Sequence, residues 1–299
     1  MDPIAAPSPK PPSPGTLRLG CALWSFKGWI GSFYPPDTKP AQMLELYAAR
    51  LTAVEGNSMF YTMPSTETLQ RWAAQLPEGF AFCPKLSREL SHRGLLSPAL
   101  LAVDHVLDDL QPLARRAGPI FAQLPPSYGP DRLDDLERFL TGWSHGRWPL
   151  QLEVRHPGWF DKPHHEALTA LLRLLRVGRV SLDTRPIYEC DDDPQVHSAR
   201  RKPRVPLVAE PTTSVVLVRY IGHPVPDHNQ PYLLEWAERI DGWLRRGLDV
   251  LFFAHCPMEE RSPELARRLH TLLSQRGAPV EPLPWDSVLD ERPQLDLFS

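Results

Sequence analysis

The sequence lacks several features that define membrane, secreted and metal-ribbon proteins. It contains no run of 18 apolar residues, so no transmembrane helix is expected, and its first residues have no apolar signal core. Its four cysteines include no CxxC pair, which argues against a zinc ribbon or a thioredoxin-type site. We therefore expect a cytoplasmic protein with free thiols and no membrane partner.

Lysine and net positive charge are also scarce. Only 6 of the 33 basic residues are lysines, and 36 acidic residues give a formal net charge of -3. A protein that binds DNA on its own without sequence preference is usually basic, so the charge argues against that class. Hydrophobic residues make up 42% of the chain, which is enough to bury a full core in one large barrel or two ordinary domains.

Proline is abundant, and much of it lies near the two ends of the chain. Six prolines fall within residues 1–15, and four more within 277–293. Such stretches favour extended backbone and bury little. We expect a disordered Pro-rich tail over residues 1–15, a barrel domain over 16–276, and a Pro-rich linker with a terminal peptide motif over 277–299.

Between these ends, short apolar runs alternate with amphipathic stretches. The runs at 215–218 (VVLV) and 250–253 (VLFF) are apolar on both faces, as in parallel strands covered by helices. The strand candidates are 17–23, 52–57, 80–86, 119–124, 149–154, 179–183, 215–221 and 249–255. The helix candidates are 39–51, 65–76, 97–109, 131–141, 164–176, 232–246 and 262–274.

The spacing of the strand candidates indicates the fold class. Successive strands begin about 33 residues apart, as in a (β/α)8 barrel of roughly 250 residues. We therefore predict an α/β fold, namely a single (β/α)8 TIM-type barrel with flexible tails. A doubly wound open sheet is the alternative, although no Gly-rich phosphate turn follows the first strand.

Several motifs together resemble one family. They are LGCALWSFKGW at 19–29, VEGNSMFY at 54–61, QLPP at 123–126, EVRHPGW at 153–159 and RYIG at 219–222. This combination is similar to the YecE-like proteins, known as domain of unknown function 72, over about residues 17–275. The resemblance implies a TIM barrel and no settled reaction. Many members carry paired asparagines where this chain has Ala254 and His255, so His255 is the local polar group.

In TIM barrels the active site lies at the carboxyl ends of the strands. The catalytic candidates at these ends are Glu55, Lys85, Glu153, His156, Asp183 and His255. The substrate-binding candidates are Trp24, Asn57, Gln123, Arg155 and Arg219. Strand alternation places Glu153 and Arg155 on the same side, where Glu153 is suited to act as a general base or to orient Arg155 towards an anion.

A cofactor cannot be assigned from the sequence. Glu55, Glu153, Asp183 and His255 have the ligand types of a divalent metal site, but no compact motif such as HExxH accompanies them. The long segment from 184 to 213 carries Arg200, Arg201, Lys202 and Arg204. Long loops in compact barrels are often functional, and this basic run is expected either to attract phosphate or to be a solvated charged loop.

The last residues resemble a known peptide motif. The segment of Gln294, Leu295, Asp296, Leu297 and Phe298 is similar to the peptide with which many bacterial polymerases and repair proteins bind the sliding β clamp. A proline-rich linker before it would present the motif away from the barrel. The alternative is that Leu297 and Phe298 pack on their own barrel. Clamp binding would concentrate a weakly acidic protein near DNA without a basic surface.

Three functions remain open at this level. The first is an enzyme, such as a phosphodiester hydrolase, that acts on a nucleic acid or nucleotide and is recruited to DNA through the clamp. The second is a small-molecule enzyme on a sugar or sugar phosphate, with Glu55 and Glu153 as its paired carboxylates. The third is a non-catalytic adaptor that binds a ligand and the clamp.

Overall fold

The computed structural model describes residues 13–144, 146–196, 198 and 201–290. All strand pairing between its named strands is parallel. The strands are β1 (Leu17–Cys21), β2 (Ala53–Gly56), β3 (Ala81–Pro84), β4 (Ile120–Gln123), β5 (Leu150–Glu153), β6 (Gly178–Arg179), β7 (Ser181–Asp183), β8 (Val215–Ile221) and β9 (Asp249–His255). The chain is thus an α/β protein, as predicted.

The strands form two parallel sheets, and the edges of one sheet contact the edges of the other. One has the order β3-β2-β1-β9-β8-β7 and the other β4-β5-β6. Strands β6 and β7 form one extended stretch that is interrupted at Val180. Strand β6 pairs with β5, and β7 pairs with β8. At the other junction, isolated parallel bridges join β3 to the β4 region, and Leu86 N donates to Phe121 O at 2.9 Å. The strand order is that of the predicted eight-stranded barrel, with two of its junctions less regular than the rest.

Helices follow the strands and cover their outer face. They are α1 (Met43–Ala48), α2 (Thr66–Gln75), α3 (Arg88–Ser91), α4 (Leu100–Asp109), α5 (Leu133–Gly142), α6 (Lys162–Leu174), α7 (Gln230–Arg245), α8 (Ser262–Gln275) and α9 (Pro284–Asp290). Seven of these correspond to the predicted helical stretches. The Ser65 hydroxyl caps α2 by accepting the Thr68 amide at 3.3 Å. Within the described residues, no helix is both long and apolar enough to span a bilayer.

The segment after α8 corrects the expected domain boundary. Residues 277–299 were expected to form a linker and a terminal peptide, but Leu283 and Trp285 are buried in the main core. The Trp285 ring packs edge-on against Phe33 at 4.9 Å between centroids, and α9 follows. Burial of these apolar side chains outweighs the local preference of proline for extended backbone. Residues 291–299, which include the clamp-like motif, lie outside the described part of the chain.

Candidate functional site

The candidate site is a polar layer stacked on an apolar one, and residues of both sheets contribute to it. The apolar layer is a cluster of buried residues from β2, β3, β4, β8 and β9, together with Val180. Residues two positions apart on a strand point to the same face. On five strands, an apolar residue of the lower layer is followed two positions later by a polar residue. These pairs are Ala53 and Glu55, Cys83 and Lys85, Phe121 and Gln123, Leu217 and Arg219, and Phe253 and His255. The polar layer therefore faces the carboxyl ends of the strands.

Arg219 is the centre of this layer. Its Nε and Nη2 atoms donate to the two carboxylate oxygens of Glu55 at 2.8 and 3.0 Å. Its Nη1 donates to Glu153 Oε2 at 2.7 Å, and its guanidinium lies 4.9 Å from the Phe121 ring centre. All three charged side chains are at most 3% exposed. One buried cation thus bridges two buried carboxylates, Glu55 on β2 and Glu153 on β5, which belong to different sheets.

A second set of hydrogen bonds extends from Glu153 towards the surface. Arg155 Nε and Gln123 Nε2 both donate to Glu153 Oε1, at 2.6 and 2.9 Å. The Lys85 ammonium in turn donates to Gln123 Oε1 at 3.1 Å. The bond between Glu153 and Arg155 confirms that the two side chains share one side of the strand end. Glu153 therefore accepts three bonds and orients Arg155.

The carboxylates of this network are ionised at neutral pH. Burial by itself raises the pKa of Glu153, but the charges of Arg219 and Arg155 override that effect and lower its pKa to about 2. Burial likewise opposes ionisation of Glu55, whose pKa Arg219 and His255 hold well below its usual range. A general base needs a pKa near the working pH, so Glu153 acts here as a positioning group for Arg155 and Gln123.

The environment of Lys85 favours the uncharged form of its side chain. Its ammonium lies 4.3 Å from the ring centre of Phe60 and 5.4 Å from that of Phe121. Burial, followed by repulsion from Arg219, lowers the pKa of Lys85 to about 7. A substantial fraction of this amine is therefore neutral at physiological pH.

His255 supplies a neutral imidazole at the base of the site. Its Nε2 lies 3.1 Å from Glu55 Oε2, and a proton on Nε2 makes this a hydrogen bond. Burial and repulsion from Arg219 lower the pKa of His255 to about 4. Its Nδ1 atom is buried and has no hydrogen-bond partner within the described part of the chain. His255 also lines the cavity described next.

A cavity of about 410 Å³ opens above the polar layer. Its walls include five cationic side chains and one carboxylate, Glu259. The cations are Lys85, Arg88, Arg155, Arg201 and Lys202. Burial raises the pKa of Glu259, which further reduces the negative charge of the wall. The mouth is therefore strongly positive.

Two of these cations come from the long loop before β8. The Lys202 amide donates to the buried Gln195 Oε1 at 2.7 Å, and Tyr188 donates to the Lys202 carbonyl. Arg201 forms an ion pair with Asp193. These bonds hold this part of the loop over the mouth. Arg204 lies elsewhere, over the Tyr188 ring, and Arg200 is outside the described residues.

Asp183 does not join the mouth, which corrects the expectation for that residue. Its carboxylate binds the Arg185 side chain at 2.9–3.0 Å and accepts the Trp236 indole N–H at 2.7 Å. It pairs in register with Tyr220, one residue beyond Arg219. Successive residues point to opposite faces, so Asp183 lies on the face that α7 covers.

Three other candidates have structural contacts at the edge of the site. Trp24 packs edge-on against Trp72 at 5.0 Å and is buried. His156 Nδ1 accepts the Gly158 amide at 3.0 Å, so the imidazole caps the turn after β5. Asn57 donates to the Ala22 carbonyl at 2.8 Å while also lining the cavity. Trp24 and His156 are thus packing and capping residues that line no part of the cavity.

The structure does not assemble the four-residue metal site considered from the sequence. Asp183 is on the other face, and Glu55 and Glu153 are ion-paired with Arg219 and Arg155. Among the described residues, one different trio, Cys190, Asp192 and His223, is close enough to share an ion. His223 Nδ1 already accepts the Val225 amide at 3.0 Å, so Nε2 carries the proton that it donates to Asp192 at 3.0 Å. That nitrogen cannot at the same time coordinate a metal.

Some cavity residues were not identified as site residues from the sequence. Arg88 and His92 follow β3, and Glu259 follows β9. Burial and repulsion from Lys85 lower the pKa of His92 to about 4, so it adds no charge at neutral pH. Their position in loops after strands is the only sequence signal that could have indicated them.

Comparison with known proteins gives one consistent family. Residues 18–288 match the model of the protein family of unknown function DUF72. The UPF0759 protein YecE of Escherichia coli K12 is 32% identical over 259 residues, which is 86% of this chain and 91% of that protein. A DUF72 family protein from Enterococcus faecalis has a TM-score of 0.67 at 16% identity, covering 87% of this chain and 96% of that one. One from Thermotoga maritima has 0.66 at 19%, covering 87% and 99%. These two structures support the fold.

Proposed function

The chain belongs to the DUF72 family, and we propose that it binds a small phosphate-bearing ligand, such as a nucleotide or sugar phosphate, at the mouth of its barrel. The observation that carries the proposal is the excess of cationic side chains around the cavity. Ionised donors form the strongest hydrogen bonds with phosphate oxygens, and they accumulate where an anion must be bound.

The charge of the mouth is not cancelled from below. Arg219 and Arg155 together balance Glu55 and Glu153, the two carboxylates beneath the cavity. Arg155 is bonded to Glu153 through Nε, and its side chain is 18% exposed, which leaves its terminal nitrogens directed to a ligand. A planar guanidinium held in this way matches two oxygens of a phosphate group.

The size and lining of the cavity favour a small molecule over a nucleic acid strand. About 410 Å³ is within the usual range of small-ligand pockets, roughly 300–1,000 Å³. Phe60 and the 67% exposed Tyr61 provide an aromatic wall beside the cations. Such a wall stacks against the flat face of a base or the apolar face of a sugar.

A separate proposal concerns the C-terminus. We propose that residues Gln294 to Phe298 bind the bacterial sliding clamp, so that the barrel works close to DNA. The support is the sequence of that segment, whose five positions fit the clamp-binding pattern. Binding of a small phosphate ligand and binding of the clamp are independent, and each has its own test.

Isothermal titration calorimetry tests the ligand proposal. The intact protein is titrated with glycerol 3-phosphate and with AMP, and with glycerol and adenosine as phosphate-free controls. We expect only the phosphorylated compounds to bind. Arg155→Ala should weaken binding by about 10-fold or more, since a hydrogen bond to a charged group is worth about 1.5–3 kcal/mol.

A matched control is Arg138→Ala, which removes an exposed arginine on α5. This variant should bind like the unmodified protein. Equal binding of phosphorylated and phosphate-free compounds, or an Arg155→Ala variant with unchanged affinity, would disprove the assignment of the mouth as a phosphate site.

A further inference from the structure

We infer that Lys85 is a reactive amine that forms an imine with the carbonyl carbon of a phosphate-bearing aldehyde or ketone. This inference rests on the proposed function, because the cationic mouth is what holds the phosphate of that substrate. It adds the substrate class, a carbonyl compound, and the atom that reacts, Lys85 Nζ.

The position of the amine is the first argument. Lys85 follows β3 directly and is 8% exposed, and it lines the cavity. The rings of Phe60 and Phe121 lie against its ammonium. Rings packed against an amine reduce its contact with water, which disfavours the charged form and favours the neutral nucleophile.

The second argument is that Lys85 has no carboxylate partner of its own. Among the described residues, no Asp or Glu oxygen lies within ion-pair distance of Lys85 Nζ. The two carboxylates of the polar layer are bonded to Arg219. Within the described part of the chain, the acceptor bonded to Lys85 is the neutral amide oxygen of Gln123, at 3.1 Å. A lysine that served as a structural ion pair would have taken one of these carboxylates.

The protonation state agrees with this geometry. Burial lowers the pKa of Lys85 to about 7, so a neutral amine with a free lone pair is present at physiological pH. Desolvated lysines beside another cation are activated as nucleophiles in this way. The neighbouring cation here is Arg219, the second cause of the lowered pKa.

The chemistry balances without a redox partner. The Nζ lone pair attacks the carbonyl carbon, a C–N bond forms, and a proton moves from nitrogen to oxygen to give a carbinolamine. The nitrogen then expels the hydroxyl group, which takes a proton from solvent in the cavity and leaves as water. The product is an iminium ion. Its N–H keeps Gln123 Oε1 as acceptor.

Reductive trapping tests this inference on the full-length protein. The protein is incubated with glyceraldehyde 3-phosphate and sodium cyanoborohydride at pH 7, and the adduct is located by peptide mass spectrometry. The chain has only six lysines, Lys10, Lys27, Lys39, Lys85, Lys162 and Lys202, so every site can be followed. We expect the adduct at Lys85 at least 10-fold above the exposed Lys162.

Two variants and a second probe make the result specific. Lys85→Arg keeps a cation but has no nucleophilic amine, and it should lose the adduct. Lys162→Arg should retain the adduct at Lys85. Glyceraldehyde, which lacks the phosphate, should label Lys85 much less, because the cationic mouth no longer concentrates it.

The outcomes separate this inference from the proposed function. Binding of glycerol 3-phosphate without selective adduct at Lys85 would overturn the imine and leave the phosphate site standing. An adduct at Lys202, or equal labelling of all lysines, would also overturn it. If glycerol 3-phosphate does not bind and glyceraldehyde labels Lys85 as fast as its phosphate ester, the phosphate site itself is wrong.

Discussion

Arg219 and Glu55 are 164 residues apart in the sequence and form a buried ion pair through two nitrogens and two oxygens. The third arm of the same guanidinium reaches Glu153. This arrangement sets the charge of the whole site: Arg219 and Arg155 pair with the two carboxylates, and other cations of the cavity wall, which include Lys85 and Arg88, are left for a ligand.

Removing Arg219 should destabilise the protein strongly. Arg219→Met leaves Glu55 without its main counter-charge in a buried position, and breaking a buried pair from one side costs about 3–5 kcal/mol. We expect a fall of that size in the free energy of unfolding, measured by urea denaturation at pH 7.

Arg219→Lys is the matched control for charge. It keeps a cation but cannot form three directed bonds, so its loss of stability should be smaller. Equal stability of Arg219→Met and the unmodified protein would mean that the buried carboxylates are not ionised.

Asp183 should act in stability and not in ligand binding. Asp183→Asn removes the charge that holds Arg185 and weakens the acceptor of the Trp236 indole N–H. We expect a loss of about 1–3 kcal/mol in the free energy of unfolding, with the affinity for glycerol 3-phosphate unchanged within twofold. An affinity that falls tenfold while stability is kept would place Asp183 in the site after all.

The reactivity of Lys85 should depend on pH in a range where ordinary lysines are inert. Its pKa is lowered to about 7 by burial and by Arg219, and only the neutral amine is nucleophilic. Competitive labelling with trace acetic anhydride should therefore rise at Lys85 as the pH increases through 7 and level off above it. A free lysine derivative added as an internal standard, with a pKa of about 10.4, should continue to gain label well above pH 7. Identical curves for Lys85 and the standard would refute the lowered pKa.

The C-terminal motif should bind the sliding clamp with an affinity on the order of micromolar, as short peptides that become ordered on binding usually do. Purified clamp is titrated with the intact protein, with a variant that ends at Pro293, and with Leu297→Ala/Phe298→Ala. We expect binding by the intact protein alone, because Leu297 and Phe298 supply the apolar anchors. Equal behaviour of the three proteins would show that the motif has no such role.

The sequence allowed the strands and most of the polar layer to be predicted, because both depend on local patterns. Continuous apolar runs identified the strands, and the polar residues at the carboxyl ends of these runs identified Glu55, Lys85, Gln123 and Arg219. Asp183 was misplaced because the strand spans so few residues that its two faces could not be distinguished. Its register with β8, which pairs Asp183 with Tyr220, follows from the assembled sheet.

Contacts that join distant parts of the chain could not be predicted in the same way. Proline content suggested a linker after residue 276, yet Trp285 fills a position against Phe33, which exists only when the N-terminal loops are in place. The position of Lys202 at the cavity likewise depends on a tertiary contact, the hydrogen bond from its amide to Gln195 Oε1. Amino-acid composition does not show which space a side chain fills in the folded protein or which residue it contacts.

The central guanidinium also has a consequence for the order of biosynthesis. Glu55 and Glu153 leave the ribosome well before β8 delivers Arg219, and β9 delivers His255 later still. A nascent chain that lacks β8 would have to bury Glu55 without the cation that bonds to it, so we expect its first strands to reach their final arrangement only after β8 is made. The ion pair that prepares the pocket would thereby delay completion of the core until the chain extends through β8.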